Sequence, residues 1–227
     1  KLYYLLESRL LKKYESKTLQ QVSYVLPVSK KDAIKLSQQR LWGKIIELPV
    51  FLPFQEVRIR EGVGSYCLYH ANLSVAENIK AAFWLADKID SAKIRLIIAG
   101  KNPPASLKKF LKSRNVRLIA NPSNEEMFHL VQNAHINVIL SFNDTGIKLK
   151  LLNALFHGRH CVANEPAIPG EDFKTNCSVF SSEQQLNEII RSLIDKPFKE
   201  DQIKNREKFL VTHFNNEMSA AKLNALL

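Results

Sequence analysis

The sequence predicts an α/β fold in which a parallel sheet carries helices on both faces. Three observations predict it. From Gly64 to about residue 195, short apolar runs alternate with helical stretches of about ten to fifteen residues. Runs such as Arg95-Leu-Ile-Ile-Ala99 suit strands covered on both faces. The connections between them are short, which leaves few topologies other than successive right-handed crossovers.

Each element follows from its own residues. Residues 2–20 place Leu2, Leu5, Leu6, Leu10, Leu11 and Tyr14 at helical spacing. Val22 to Val28 is rich in β-formers, and Ser29 opens a short helix from Lys30 to Gln39. Ile45 and Ile46 are apolar, and Pro49 and Pro53 then hold an extended chain that no regular element survives. That pair marks the expected hinge, which runs to about Gly64 and separates residues 1–50 from 51–227. Tyr66–His70 reads as a strand. Ser74–Ile89 reads as a helix opened by the capping box Ser74-Val75-Ala76-Glu77. Strand Ile94–Ala99 ends at Gly100, and helix Pro104–Ser113 follows. Strand Val116–Ala120 precedes a second capping box, Ser123-Asn124-Glu125-Glu126, and a helix through Ala134. Ile136–Leu140 is a strand, Leu149–Phe156 a helix stopped by Gly158, and His160–Ala163 and Ser178–Phe180 are short strands. Ser182 caps a helix carrying Leu186, Ile189, Ile190 and Leu193. Pro197 breaks the pattern before two closing helices.

Composition bounds the class. With 227 residues, 45% apolar and 24% charged, the chain is an ordinary globular one of one large or two small domains. Disordered and fibrous classes are excluded. No apolar run reaches the roughly 18 residues of a membrane span, and no secretory segment opens the chain. Cys67, Cys161 and Cys177 read as strand residues without disulfide or metal spacing, which points to a reducing compartment. The chain opens at Lys1, already in a helical pattern, and reads as part of a longer protein. Of the net charge of +11, residues 1–60 hold +7, beginning with Lys1, Arg9, Lys12, Lys13 and Lys17. Such a stretch suits nucleic acid, an anionic membrane face or an acidic partner domain, or forms a solvated helix face.

In parallel sheets ligands bind at the carboxyl ends of the strands, where helix amino termini offer free N–H groups. Four loops lie there: His70–Ser74, Gly100–Pro103, Asn121–Ser123 and Ser141–Lys148. The last is the most distinctive. A strand ends in small polar residues, Gly146 permits close approach, and Lys148 and Lys150 enter the next helix, an arrangement suited to a diphosphate. Other constellations point to ordinary packing. His157-Gly-Arg-His160-Cys161 has no second ligand cluster, so no metal is expected. No Gly-x-Gly-x-x-Gly follows a strand. His129 and His135 flank a helix end as structural or solvated residues, and Phe142 and Asn143 fall at the expected pocket mouth.

The stretch from Ser141 to Gly158 resembles the carboxy-terminal half of glycosyltransferases built from two Rossmann-like domains, the GT-B architecture and its large retaining "glycosyl transferases group 1" family. Lys150, Asn153 and Gly158 fall on the family's Lys-x-x-Glu-x-x-x-x-Gly helix. Tyr69 to Asn78 resembles its strand–Gly-x-Leu-Ser–helix loop, Ile98-Ala-Gly-Lys101 its second strand and loop, and Val25 to Asp32 the end of its amino-terminal domain. The likeness runs from about residue 20 to 215. It implies a Rossmann-like, donor-binding domain, with residues 1–50 the remnant of a preceding domain that holds most of the acceptor site.

The resemblance implies transfer of a sugar from a nucleoside-diphosphate sugar to a hydroxyl of a carbohydrate or lipid-linked acceptor. No cofactor is implied; lysines and helix dipoles replace a divalent ion. Lys148, Lys150 and Asn153 take the catalytic places. Donor binding falls to Ala71, Asn72 and Ser74, to Gly100 and Lys101, to Asn121 and Ser123, and to Ser141, Thr145 and Gly146. The chain departs from the family where Thr145 and Asn153 replace two glutamates, Asn72 an arginine, and Ala71 a glycine. An amide at 153 can bond a ribose hydroxyl but does not pull as an anion. These departures favour the second reading, a non-catalytic nucleotide-sugar-binding or regulatory domain. A third, a nucleic-acid module, lacks basic–aromatic interleaving, so no nucleic-acid partner is expected. The expected location is cytoplasmic, peripheral to the inner membrane face through the basic amino-terminal segment.

Overall fold

A computed structural model of the chain describes residues 2–39, 42–90, 94–114 and 116–226, with the side chain of Leu2 set aside; Lys1 of the basic run lies outside them. The first helix, α1 (Leu2–Leu19), leads to a two-residue strand β1 (Tyr24–Val25), helix α2 (Lys30–Ser37) and strand β2 (Lys44–Ile45). These two strands pair in parallel with each other and stand apart from the main sheet. The β-rich run from Val22 to Val28 is thus mostly not strand. Among the described residues its partner strand is two residues long, and Pro27, which accepts from Leu48 N at 3.0 Å, has no N–H to donate back and extend the ladder. Ser29 caps α2 as expected, accepting from Asp32 N. Leu5, Leu6, Leu10, Leu11 and Tyr14 of α1 are exposed, Leu10 at 70% and Tyr14 at 69%, so the described side chains of the predicted stripe are not buried within this chain.

The main sheet holds six parallel strands: β3 (Tyr66–Asn72), β4 (Arg95–Lys101), β5 (Arg117–Ala120), β6 (Ile136–Ile139), β7 (His160–Asn164) and β8 (Ser178–Phe180). Their spatial order is β5-β4-β3-β6-β7-β8, so the order reverses between β3 and β6. That order makes the fold Rossmann-like. Between the strands run α3 (Ala76–Lys88), α4 (Ala105–Ser113), α5 (Asn124–Asn133) and α6 (Leu149–His157), two short 3-10 turns (Glu165–Ala167 and Glu171–Thr175) join β7 to β8, and α7 (Glu183–Leu193), α8 (Glu200–His213) and α9 (Asn216–Asn224) follow the last strand.

Alternation along the strands divides the core. Cys67, Tyr69, Leu96 and Ile98 face α3, α4 and α7 through Leu85, Leu107, Leu111 and Ile190. Leu68, Ile97 and Ala99 face α5 through Val131 and Ala134. Beside them, Ile139 and Ala163 meet Leu151, Leu155 and Phe156 of α6 and Leu210 of α8. Each fully buried leucine contributes about 1.5–3 kcal/mol by leaving water. Buried His135 ties the layers: its Nδ1 accepts from Gly64 N at 3.1 Å and its Nε2–H donates to the Leu193 carbonyl at 2.6 Å.

The proline segment is neither free nor regular. Leu52 is buried in the α6–α8 core, and Asn216 of α9 bonds both its N–H (3.0 Å) and its carbonyl (2.9 Å). Phe54 meets Phe156 edge-on at 5.0 Å, and Arg58 N donates to Phe156 O at 2.8 Å. Residues 52–58 therefore form a strap across α6.

Candidate functional site

The strap closes one side of a cleft of about 960 Å³ at the carboxyl ends of β3 and β4. Its floor is His70, Ala71 and Asn72 of β3 with Gly100 and Lys101 of β4. Glycine is required at position 100, because a Cβ there would collide with the Ala71 carbonyl oxygen. One wall is α6, through Leu149, Lys150, Asn153 and His157; the facing wall is Pro122, Met127 and Phe128, with Phe54 on the strap side. The cleft joins an apolar, aromatic half to a polar, basic one, as ligand sites do.

Lys150 is the best-placed cation. Its Nζ donates to the Leu140 carbonyl at 2.8 Å and, over longer distances, to Asn78 Oδ1 (3.3 Å) and the Tyr69 hydroxyl (3.4 Å). Burial pulls its pKa down to about 8; Glu77 opposes that shift and Lys148 adds to it. Asn153 stands 3.3 Å from His70, Nδ2 to Nε2. His70 is buried, its Nδ1 has no hydrogen-bond partner, and burial together with the Lys150 charge drives its pKa down to about 4. The imidazole is neutral at physiological pH, so its Nε2 accepts from the Asn153 amide and its Nδ1–H is an unused donor. His157 has the same character: buried, with an orphaned Nδ1 and a pKa lowered to about 4, first by burial and then by Arg58.

Of the residues singled out in the sequence, Ala71, Asn72, Gly100, Lys101, Lys150 and Asn153 line the cleft. Ser74, Asn121, Ser123, Ser141, Thr145, Gly146 and Lys148 are not among its lining residues. The N–H groups expected to receive an anion have protein acceptors. Gly146, at φ +65°, donates to Asp32 Oδ2 at 2.8 Å, and Thr145 N donates to Asn143 Oδ1 at 2.8 Å. Ser123 and Glu126 exchange their N–H groups in the capping box predicted there. Lys148 Nζ donates to the Thr145 carbonyl at 2.6 Å, and burial lowers its pKa. Asn121, in the left-handed region at φ 54°, accepts from Asn102 N.

Two expectations are corrected. The capping box at Ser74 does not form; Val75 is the N-cap and makes no side-chain bond. Asn72 Oδ1 takes both Ser74 N (3.1 Å) and Ser74 Oγ (2.8 Å) in a local turn that competes with the cap. Glu77 is thereby released to accept from Ser141 Oγ at 2.7 Å and Phe142 N at 2.8 Å, and these bonds hold its pKa below the usual carboxylate range. It clamps the loop after β6, a role the sequence pattern disguised as capping. Phe142 lies under Lys80 Nζ at 4.0 Å and Asn143 accepts from Thr145, and neither lines the cleft. In the stretch from His157 to Cys161 the side chains part company. His157 enters the cleft, Arg159 bonds the Gln132 carbonyl, and His160 meets the Lys196 carbonyl.

The family model for "Glycosyl transferases group 1" matches residues 64–196. Among solved structures, a variant of S. aureus TarM in complex with fondaparinux, α-GlcNAc-glycerol and UDP superposes with a TM-score of 0.75 at 12% identity, over 95% of this chain and 46% of that one. The GtfA/B complex gives 0.69 at 15% identity over 94% and 46%, and apo OtsA 0.68 at 10% over 93% and 62%. The chain thus spans about half the length of the TarM and GtfA/B chains. No curated protein matches the sequence. The sheet order, the matched span and these superpositions agree, and the chain belongs to the glycosyl transferases group 1 family, with the fold of the carboxy-terminal half of a GT-B glycosyltransferase.

Proposed function

We infer that this chain is the donor-binding half of an enzyme that moves a sugar from a nucleoside diphosphate to an acceptor hydroxyl. The observation that carries the reading is the cleft, where Lys150 and Lys101 stand beside the neutral His70–Asn153 pair at the ends of β3 and β4. In such a transfer the acceptor oxygen bonds the anomeric carbon and the carbon–oxygen bond to the diphosphate breaks. The electron pair stays on the leaving phosphate, and the hydroxyl proton is released. Charge therefore develops on the diphosphate, where a fixed cation stabilises it most. Lys150 supplies that cation, and a phosphate oxygen would replace its long bonds to Asn78 and Tyr69. Asn153 and His70 would meet the ribose hydroxyls, and the Met127–Phe128 wall the base. Ala71, Asn72, Gly100 and Lys101 line the diphosphate path. Ser74, Asn121, Ser123, Ser141, Thr145 and Gly146 frame its loops, and Lys148 adds charge from outside the cleft.

The wider reading includes a preceding domain continuous with residues 1–50, a carbohydrate or lipid-linked acceptor, and a cytoplasmic enzyme at the inner membrane face. Thr145 and Asn153, at places the family fills with glutamate, favour the second reading of a binding domain without turnover.

Isothermal titration of the chain with UDP, ADP and GDP tests the site. One of them binds the parent, and Lys150→Ala weakens it by roughly ten- to a hundredfold, the worth of one charge-assisted contact. If Lys148→Ala and Lys150→Ala both bind like the parent, the phosphate site lies elsewhere. Sugar turnover by the full-length protein separates an enzyme from a binding domain.

A further inference from the structure

From Ser91 to Asn124 the sequence contains eight lysines and arginines and no aspartate or glutamate, against a net charge of +11 for the whole chain. This stretch holds β4, α4 and β5, and β5 is an edge strand of the sheet. Arg95 opens β4, Arg117 opens β5, and Lys108 and Lys112 lie one turn apart on α4. The four exposed side chains line a groove of about 590 Å³ floored by Leu96, Val116 and Leu118. None of the four makes an ion pair with a described residue. Several cations elsewhere on the surface do: Lys88 bridges Asp87 and Glu183, and Lys174 bridges Glu165 and Glu171. Four unneutralised like charges around one concavity repel each other and destabilise the fold slightly, a cost that a bound polyanion would remove.

Position adds to charge. Arg95 and Arg117 sit at the amino ends of their strands, and the cleft at the carboxyl ends. A large anionic surface resting on the groove would leave the cleft open.

We propose that this groove docks the chain on an anionic membrane surface, its cations meeting lipid phosphates. The chemistry favours a bilayer over single-stranded nucleic acid, which needs aromatic faces for its bases. Of the rings nearby, Phe110 is half-buried between Phe83 (4.8 Å) and Arg114 (5.4 Å), and Tyr66, beside Arg95 in the sheet, is half-buried with its hydroxyl donating to the Leu130 carbonyl (2.8 Å). The apolar floor is largely covered, so nothing inserts into the hydrocarbon and attachment is electrostatic. Each cation strengthens such binding by about fivefold, and salt reverses it.

Co-sedimentation of the chain with phosphatidylcholine vesicles, with and without phosphatidylglycerol, tests the proposal. Binding is expected only with phosphatidylglycerol and is lost near 1 M salt, where the Debye length is about 3 Å. The double variant Lys108→Glu/Lys112→Glu, on an exposed helix face, should melt like the parent and bind at least about a hundredfold more weakly. Reversing Lys12 and Lys13 of α1 should leave binding intact. Equal binding by the α4 variant and the parent overturns the proposal, as does binding that follows α1. Tighter binding of an oligouridylate than of the vesicles, lost in the α4 variant, overturns it in favour of RNA. UDP titration of the same variant keeps this result apart from the cleft reading, since Lys108 and Lys112 lie outside the cleft.

Discussion

Lys150 decides the chemistry of the cleft at the scale of a single residue. Its ammonium is surrounded by neutral oxygens, and burial brings its pKa down to about 8. The charge is present below that value and is lost as pH rises through it. Affinity for a nucleoside diphosphate should therefore fall as pH is raised from 7 to 9, and Lys150→Met should flatten that profile in titration calorimetry. A parent profile that stays level would show that Lys150 does not meet the phosphates. Gly100 sets a different limit. Its missing Cβ allows β4 to pass the Ala71 carbonyl, and Gly100→Ala would force that backbone apart. The expected cost is at least about 2 kcal/mol, since no rotamer change relieves a backbone collision. Urea denaturation measures it.

Among the elements, α3 and α5 carry the same Ser-x-x-Glu pattern and use it differently. Ser123 caps α5 with reciprocal bonds to Glu126. Ser74 bonds Asn72 instead, and Glu77 of α3 reaches the loop after β6. Ser123→Ala should cost about 1 kcal/mol, the usual worth of a cap, and Ser74→Ala clearly less. Equal losses in chemical denaturation would contradict this division. Glu77→Ala should free the loop from Ser141 to Gly146, seen as faster amide exchange there. Glu77→Gln keeps an acceptor for Ser141 and Phe142 and should retain most of the protection.

Across the whole molecule, acid sensitivity follows from buried imidazoles, His135 among them, whose pKa burial also lowers. His70, His157 and His160 are each held down to about 4, mainly by burial. An unfolded histidine takes up its proton near pH 6.5, so between 6.5 and 4 the unfolded chain binds protons that the folded one refuses. The stability these residues allow is present above about pH 6.5 and falls as pH drops toward 4. The melting temperature should decline steadily over that window, and a flat profile would show that these rings titrate freely.

The sequence by itself determined the order and type of the elements from Tyr66 to Leu193. Apolar strands and amphipathic helices declare themselves through local spacing, and Ser29, Ser123 and Ser182 cap the helices read from them. It also determined which loops lie at the strand ends, and the cleft residues Ala71, Asn72, Gly100, Lys101, Lys150 and Asn153 come from those loops and the α6 helix that follows the last of them. Only the tertiary structure decided which N–H groups and charges remain for a ligand. Asp32 reaches Gly146 across 114 positions of sequence, and Glu77 reaches Ser141 across 64. His70 and His157 read locally as a strand and a helix end. They become cleft residues because the crossover from β5 to β6 lays β6 beside β3, and α6, which follows β6, then stands against the end of β3. Spacing along a chain reports which face a residue takes. Which distant group meets it there depends on the path of the backbone, and no local pattern encodes that path.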